Sequence, residues 1–505
     1  MASADPKLAK PLLAAILART LPGEIDGFGK DAQAQAVEFM LVTAAKRTRG
    51  KANVAVDTFA DASGRLAMRV ALINDDMPFL VDSVAAALAS ANVAIERLIH
   101  PVVDVERDAS GTLAALSEKR GSTGKRESFI YVETSRIDAK ERRALADSLD
   151  AVLEDVRCAV TDWRKMQGAM SDDADSLPEG EGAALMRWFL DGAMTVLAHE
   201  RIMGDGAREA RLGLARSSDA ALLSEESITR ARAFFAEGGQ APLILKSSRV
   251  STVHRAVQLD ILVVPVRDGD KIKGLSVTGG LWTSNALATP PERIPLLRTQ
   301  LSDLLTRYGF DPSGHAGKAM SHALTSLPHD LLVSFSRADL ERVTLTAMSL
   351  TDRPRPKLLA VRSALGRHVF VFVWLPRDEI STGLRRAIEA MLTETKGGSV
   401  LGWSIGLEDG GIGLLRYLLD LEDRSVDIDE AALDRRLQLM VRGWEPAVEA
   451  ELVRVTDEKR AAALMERYAS AFPQSHRMAY PVAEAAQDMI SLLAMERDHS
   501  RISRL

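Results

Sequence analysis

Cysteine is almost absent: Cys158 stands alone among 505 residues. One thiol makes no internal disulfide and supplies no cysteine zinc cage, so the cytosol is the expected compartment. A basic excess is lacking too. Lys and Arg number 64 against 70 Asp and Glu, a net charge of −6, which argues against a nucleic-acid partner, since such proteins show a basic face or stripe. No apolar run approaches the ~20 residues that a membrane helix needs, so no membrane partner is expected. The segment Pro11–Ala18 follows Lys7 and Lys10 and has the length of a signal core, but Leu8, Leu12, Leu13, Ile16 and Leu17 form one stripe of an amphipathic helix.

Recognisable catalytic signatures are also missing. There is no P-loop and no Gly-x-Ser-x-Gly elbow. The nearest approach to a dinucleotide fingerprint is Gly411-Ile-Gly413-Leu-Leu-Arg416, where arginine holds the third glycine's place and the following residues read as strand. Lys396-Gly-Gly398 reads as a plain turn. His315, His322 and His329 recur every seven residues, but two helical turns separate neighbours by ~10 Å, too far to share a metal ion. His254, with Ser251, Thr252 and Asp260 nearby, is the one conceivable nucleophile–base grouping, although strand alternation alone does not bring these groups together. The reading assigns no catalytic, cofactor-binding or metal-binding residue.

Hydrophobic residues make up 46% and charged residues 27%, the balance of a globular chain of three or four domains. Residues 31–47 read as a helix, Leu66–Ile73 as a strand, and the stretch after Pro78 as a helix carrying Leu80, Val84 and Leu88. Val93–Arg107 and Glu127–Thr134 look extended, punctuated at Asp108–Gly111 and Gly121–Gly124, and Asp138 is placed to cap a helix to about Val156. The fold class is α+β: antiparallel sheets with helices on one face. The polar stretch Ser171–Gly182 reads as a linker. Beyond it, 226–235 and 291–308 look helical, while 243–246, 258–267 and 273–282 look like strands. A third region repeats the first pattern from a strand at Leu331–Phe335, and the chain from Asp427 onward is helical. The expected divisions are 1–50 (helices), 51–168, 169–182 (linker), 183–325, 326–425 and 426–505 (helical).

Asn74-Asp75-Asp76 stands where a strand hands over to a helix that begins near Pro78. Two readings are open. The carboxylates cap the helix, or the loop and the helix start hold a small zwitterion, acids facing its ammonium and free N–H groups its carboxylate.

The string Ile73-Asn-Asp-Asp-Met-Pro-Phe-Leu-Val-Asp-Ser-Val84 resembles the N-terminal region of the large bacterial NAD-specific glutamate dehydrogenases. In order along the chain, so do His100–Asp108 with Gly111; Ser251, Val253-His254-Arg255 and Asp260; Gly309-Phe310 with His315, Gly317 and Lys318; Arg362, Gly366-Arg367, Pro376-Arg377-Asp378 and Thr382–Arg385; and Trp444, Tyr468, Ala471–Pro473, Tyr480 and Asp488. The resemblance implies three tandem ACT-like βαββαβ modules followed by a helical segment. It implies an amino-acid effector at Asn74, Asp75, Asp76 and Pro78, and homo-oligomers formed through the modules. NAD and the catalytic C-terminal region would belong to the rest of the enzyme, with no cofactor bound by this chain. Phe79 stands where an ACT turn usually has glycine.

Overall fold

The computed structural model describes residues 5–19, 22–60, 64–117, 125–216, 221–351, 353–394, 398–407, 411–441, 443–473, 476–477 and 480–498. The turns expected at Gly121–Gly124 and Lys396-Gly397 lie outside these residues. The chain divides into two compact units, Met1–Ser302 with His329–Ser334, and Asp303–Pro328 with Phe335–Leu505.

The first unit contains two antiparallel sheets. One comprises β1 (Asn53–Ala60), β2 (Leu66–Asp75), β3 (Ile95–Ile99), β4 (Val102–Arg107), β5 (Leu113–Ser117) and β6 (Lys125–Thr134), in the order β1-β2-β6-β4-β5 with β3 also on β6. Both faces of the central strands are buried, as the near-continuous apolar runs of β2 and β6 require. Ala71, Ile73, Phe129 and Tyr131 pack with the helices Pro6–Arg19 and Lys30–Ala44. The alternate residues Val70, Leu72, Ile130 and Val132 are equally buried and point to the opposite face. There the helices Leu80–Ser90 and Ala139–Ser176 pack. Helices on one face were expected; the N-terminal helices cover the other.

The second sheet has the order β8-β7-β11-β10-β9, from β7 (Met194–Met203), β8 (Arg208–Gly213), β9 (Leu243–Val250), β10 (Gln258–Asp268) and β11 (Lys271–Trp282). The linker expected at 169–182 is instead mostly helix. Ala139–Ser176 runs unbroken for 38 residues from an Asp138–Glu141 capping box. The polar stretch hides a buried stripe: Met166, Met170, Asp173, Ala174 and then Leu177 fall at helical spacing and pack on the second sheet. Asp173 accepts a 2.6 Å hydrogen bond from Ser276 Oγ. Burial pushes its carboxyl up to about 6, a rise that the Ser276 hydroxyl and the nearby Arg201 only partly oppose.

The strand expected at Leu331–Phe335 is a single helical turn, His329–Leu332. Its Asp330 ends 2.6 Å from the buried Lys246 ammonium, which also meets Asp260 at 2.6 Å, so an ion triad holds this segment against β9 and β10.

The other unit holds the sheet β12 (Lys357–Arg362), β13 (His368–Pro376), β14 (Gly398–Leu407) and β15 (Ile412–Leu421), in the order β12-β13-β15-β14. Val371, Val373, Leu415 and Leu419 face the helices Thr382–Thr393 and Glu430–Val441, while Phe335 packs against Phe370 and Phe372. The helices Trp444–Val455, Glu458–Tyr468 and Val482–Asp498 close a separate small core around Leu452, Leu464 and Met489. Antiparallel sheets with packed helices and a helical C-terminal segment are therefore present, as the α+β reading expected. Each sheet opens with an antiparallel hairpin, β1–β2, β7–β8 and β12–β13.

Gly111 adopts φ +86°, and a Cβ there would stand 2.3 Å from the Arg47 carbonyl oxygen. Gly111→Ala therefore combines backbone strain with a clash against backbone. It is expected to lower unfolding stability by about 1–3 kcal/mol, read from the midpoint of urea denaturation.

Candidate functional site

The antiparallel register of β2 and β6 sets Asp75 directly opposite Glu127, and Asn74 opposite Ser128. Two carboxylates facing each other across a ladder repel. Arginine from outside the sheet resolves the conflict. Arg47, just past the helix Lys30–Ala44, donates from Nη2 to Asp75 Oδ1 at 2.5 Å and to Glu127 Oε1 at 2.7 Å, and from Nη1 to the Lys51 carbonyl at 2.8 Å. Arg107 at the end of β4 grips Glu127 with two parallel bonds of 2.8 Å and reaches the carbonyls of Ala44 and Gly111. Arg157, on the long helix, donates to Asp75 Oδ2 at 3.0 Å and to Asn74 Oδ1. Glu127, Arg47 and Asn74 are 1%, 4% and 1% exposed. Planar guanidinium forks suit this bidentate work.

Asp76 stands apart from this core. Ser128 Oγ donates to it at 3.0 Å and Arg126 approaches at 3.4 Å. Neither Asp75 nor Asp76 caps the helix that follows. Its N-cap is Phe79, held at φ 70° with no side-chain hydrogen bond to the helix. The capping reading is thus corrected: the acids close the β2–β6 end, and a left-handed Phe79 carries the chain into the helix. Asp75 also meets guanidinium groups where the zwitterion reading placed a ligand's ammonium.

The start of the helix Leu80–Ser90 is met by the segment between β9 and β10. The His254 N–H donates to Ser83 Oγ at 2.9 Å, its Nδ1 lies 3.0 Å from Asp82 Oδ2, and its ring packs on Phe79 at 5.3 Å. The nucleophile–base grouping around His254 is therefore not assembled. Ser251 Oγ donates to the Val253 carbonyl and Asp260 is engaged with Lys246. His315 and His322 lie on one helix, while the buried His329 sits in the next turn, after Pro328. Nor does the Gly411–Gly413 pattern fit a dinucleotide. Gly413 lies inside β15, paired with Leu375, where a pyrophosphate would need a turn opening a helix.

Beside Pro78 and Phe79 lies a half-open pocket of about 340 Å³, walled by Ala159, Val160 and Trp163 of the long helix and by Leu190, Gly192 and Met194–Leu197. Sequence reasoning missed both this pocket and the three arginines. Arg47 lies 28 residues from Asp75, and Arg157 lies 82 away, so no local spacing announces them.

Four family descriptions match the chain, all parts of glutamate dehydrogenase: the ACT1 domain at residues 12–149, helical motif 1 at 294–353, the ACT2 domain at 357–445 and helical motif 2 at 451–494. The second ACT match falls on the sheet expected as a third module. Among relatives, the NAD-specific glutamate dehydrogenase of Pseudomonas aeruginosa is 27% identical over 84% of this chain and 28% of its own length. That of Halomonas elongata is 25% identical over 83% and 28%. That of Mycobacterium tuberculosis is 22% identical over 91% and 30%. The chain thus spans under a third of the length of these relatives.

Two measurements check the ion network. Glu127→Gln removes the buried charge shared by Arg47 and Arg107 and is expected to cost about 3–5 kcal/mol in denaturant unfolding. For Asp75, burial pushes the carboxyl up, but Arg47 and then Arg157 outweigh it, and the group lies below its ordinary value. A lowered folded pKa stabilises fully above the unfolded carboxylate value of about 3.9 and is lost as pH falls through the folded one. The stability gap between wild type and Asp75→Asn should hold constant above about pH 5 and shrink below about pH 4.

Matched in order by the ACT1, helical motif 1, ACT2 and helical motif 2 domains, the chain belongs to the large NAD-specific glutamate dehydrogenase family and corresponds to its N-terminal region.

Proposed function

We propose that this chain is the N-terminal regulatory and assembly part of a cytoplasmic NAD-dependent glutamate dehydrogenase. In that reaction glutamate loses a hydride from Cα to NAD, and water releases ammonia from the resulting imine, leaving 2-oxoglutarate. The chemistry is assigned to a catalytic region outside these 505 residues. The observation that carries this reading is the ordered run of four glutamate dehydrogenase domains along this chain, beside relatives more than three times as long. The same reading gives the sheets two tasks, packing against further copies and presenting the Asn74–Pro78 turn to an amino-acid effector. The uncapped helix start after that turn supports the second task.

A stand-alone amino-acid-binding module is the competing reading. Affinity isolation of the tagged chain from its own cells separates the two. The dehydrogenase reading expects glutamate-dependent NAD reduction to be retained with the tag. Recovery of the chain without that activity, while the activity stays in the unbound lysate, would establish the stand-alone module.

A further inference from the structure

The sheet built from β12, β13, β14 and β15 treats its two edges differently. At the β12 edge, outward N–H groups are taken by carboxylates of the helix Glu430–Val441. The Leu358 N–H donates to Asp434 Oδ1 at 2.7 Å, and the Ala360 N–H donates to Glu430 Oε2 at 2.8 Å. That edge is closed to another strand. At the opposite edge β14 pairs with β15 alone among the described strands. Alternate N–H and C=O groups of such a strand point away from its one partner and form a template for further pairing.

The side chains of β14 suit the same end. Trp403, Ile405 and Leu407 are 47%, 39% and 53% exposed, and their two-residue spacing puts them on one face. Trp403 and Ile405 stand opposite Tyr417 and Leu415. Those two residues pack in the core beneath the helices Thr382–Thr393 and Glu430–Val441, so the exposed row continues that core out to the rim of the sheet. The other face of the strand carries only Gly402, Ser404 and Gly406. Sheet edges are ordinarily blunted by charge or proline, yet residues 398–407 contain no proline and no ionisable side chain. The nearby cations do not compensate. Arg385 lies 4.4 Å over the Trp403 ring and is paired with Glu389 of its own helix, and Arg416, opposite Ser404, belongs to β15.

We propose that β14 is an interface with a second copy of this chain, the two strands pairing antiparallel so that the two sheets run together as one. Self-pairing is selected by what the strand carries. With no ionisable side chain, it lies beside itself without setting like charges opposite. A two-fold axis through the joined sheet puts the same face of both copies on the same side, and residues directly opposite in an antiparallel pair share a face. Odd-numbered residues therefore meet odd-numbered ones, and the Trp403, Ile405 and Leu407 rows of the two copies merge. The bulge between Val400 and Gly402 leaves 402–407 as the regular stretch that pairs. Such an interface is isologous and closes as a dimer. The proposal rests on the assembly part of the proposed function and names its surface. Its test is association of this chain alone, whereas that reading is tested by co-isolation with dehydrogenase activity, so either can fail without the other.

The experiment is analytical ultracentrifugation of the 505-residue chain from about 1 to about 100 µM, with amide hydrogen exchange followed at both ends of the range. The expected result is a monomer–dimer equilibrium in which exchange of the 402–407 amides slows as the dimer forms. Ile405→Lys and Leu407→Lys place charge in the merged row, and each is expected to raise the concentration of half-association about tenfold or more. Ile405→Val, which keeps the strand apolar and β-branched, is expected to change it by less than about threefold. The exchange measurement needs no variant, so it decides the matter even where a lysine variant fails to fold. A chain that stays monomeric across the range overturns the proposal and leaves the edge to a different occupant. Dimerisation without slower exchange at 402–407, or dimerisation unchanged in both folded lysine variants, overturns it as well.

Discussion

Glu127 is a carboxylate with almost no access to water, placed by strand register opposite a second carboxylate. Such an arrangement persists only if cations are brought to it, because an unpaired buried charge costs several kcal/mol. The cations come from three separated segments. Arg47 follows the helix Lys30–Ala44, Arg107 ends β4, and Arg157 rides on the long helix. Satisfying one ladder position therefore fixes where two helices, the Asp108–Gly111 turn and the end of β2 meet. The turn through Phe79 follows from that placement, and so does the position of the pocket beside it.

The long helix carries the second consequence. Its first half buries Leu145, Leu149, Val152 and Val156, and its second half buries Met166, Met170 and Asp173. Between them, Asp162 Oδ2 accepts from the Gly213 backbone N–H at 3.1 Å and Asp155 accepts from Thr252 at 2.7 Å. The two sheets of the first unit thus share one continuous element. The pocket lies where that helix passes Phe79 on one side and Leu190, Gly192 and Met194–Leu197 on the other.

Much of this was legible from sequence, for identifiable reasons. The apolar runs of β2, β6 and β13 and the Asp138 cap are local signals, and local signals survive in any context. The motif around Asn74–Phe79 marked the turn between β2 and the helix Leu80–Ser90, but its contacts depend on Arg47, Arg107 and Arg157, which no nearby residue predicts. The linker reading failed at Ser171–Ser176 because charge density hid a stripe only four residues deep, Met170, Asp173 and Ala174 with Leu177 beyond. The strand expected at Leu331–Phe335 failed because five apolar or small residues after Pro328 fit a short helix as well as a strand. There, the distant Lys246–Asp330 ion pair holds the helical turn in place. Phe79 at a left-handed position is the kind of local violation that sequence rules expect at special sites.

The central claim is that Asp75 and the long helix are coupled through Arg157 and hold the turn as one unit. A double-mutant cycle measures this directly: Asp75→Asn, Arg157→Met and the pair, each followed by urea unfolding at neutral pH and low salt. The account predicts that the two losses are not additive, with a coupling energy of about 1 kcal/mol or more. Additivity within about 0.5 kcal/mol would contradict it and reduce the network to independent surface pairs.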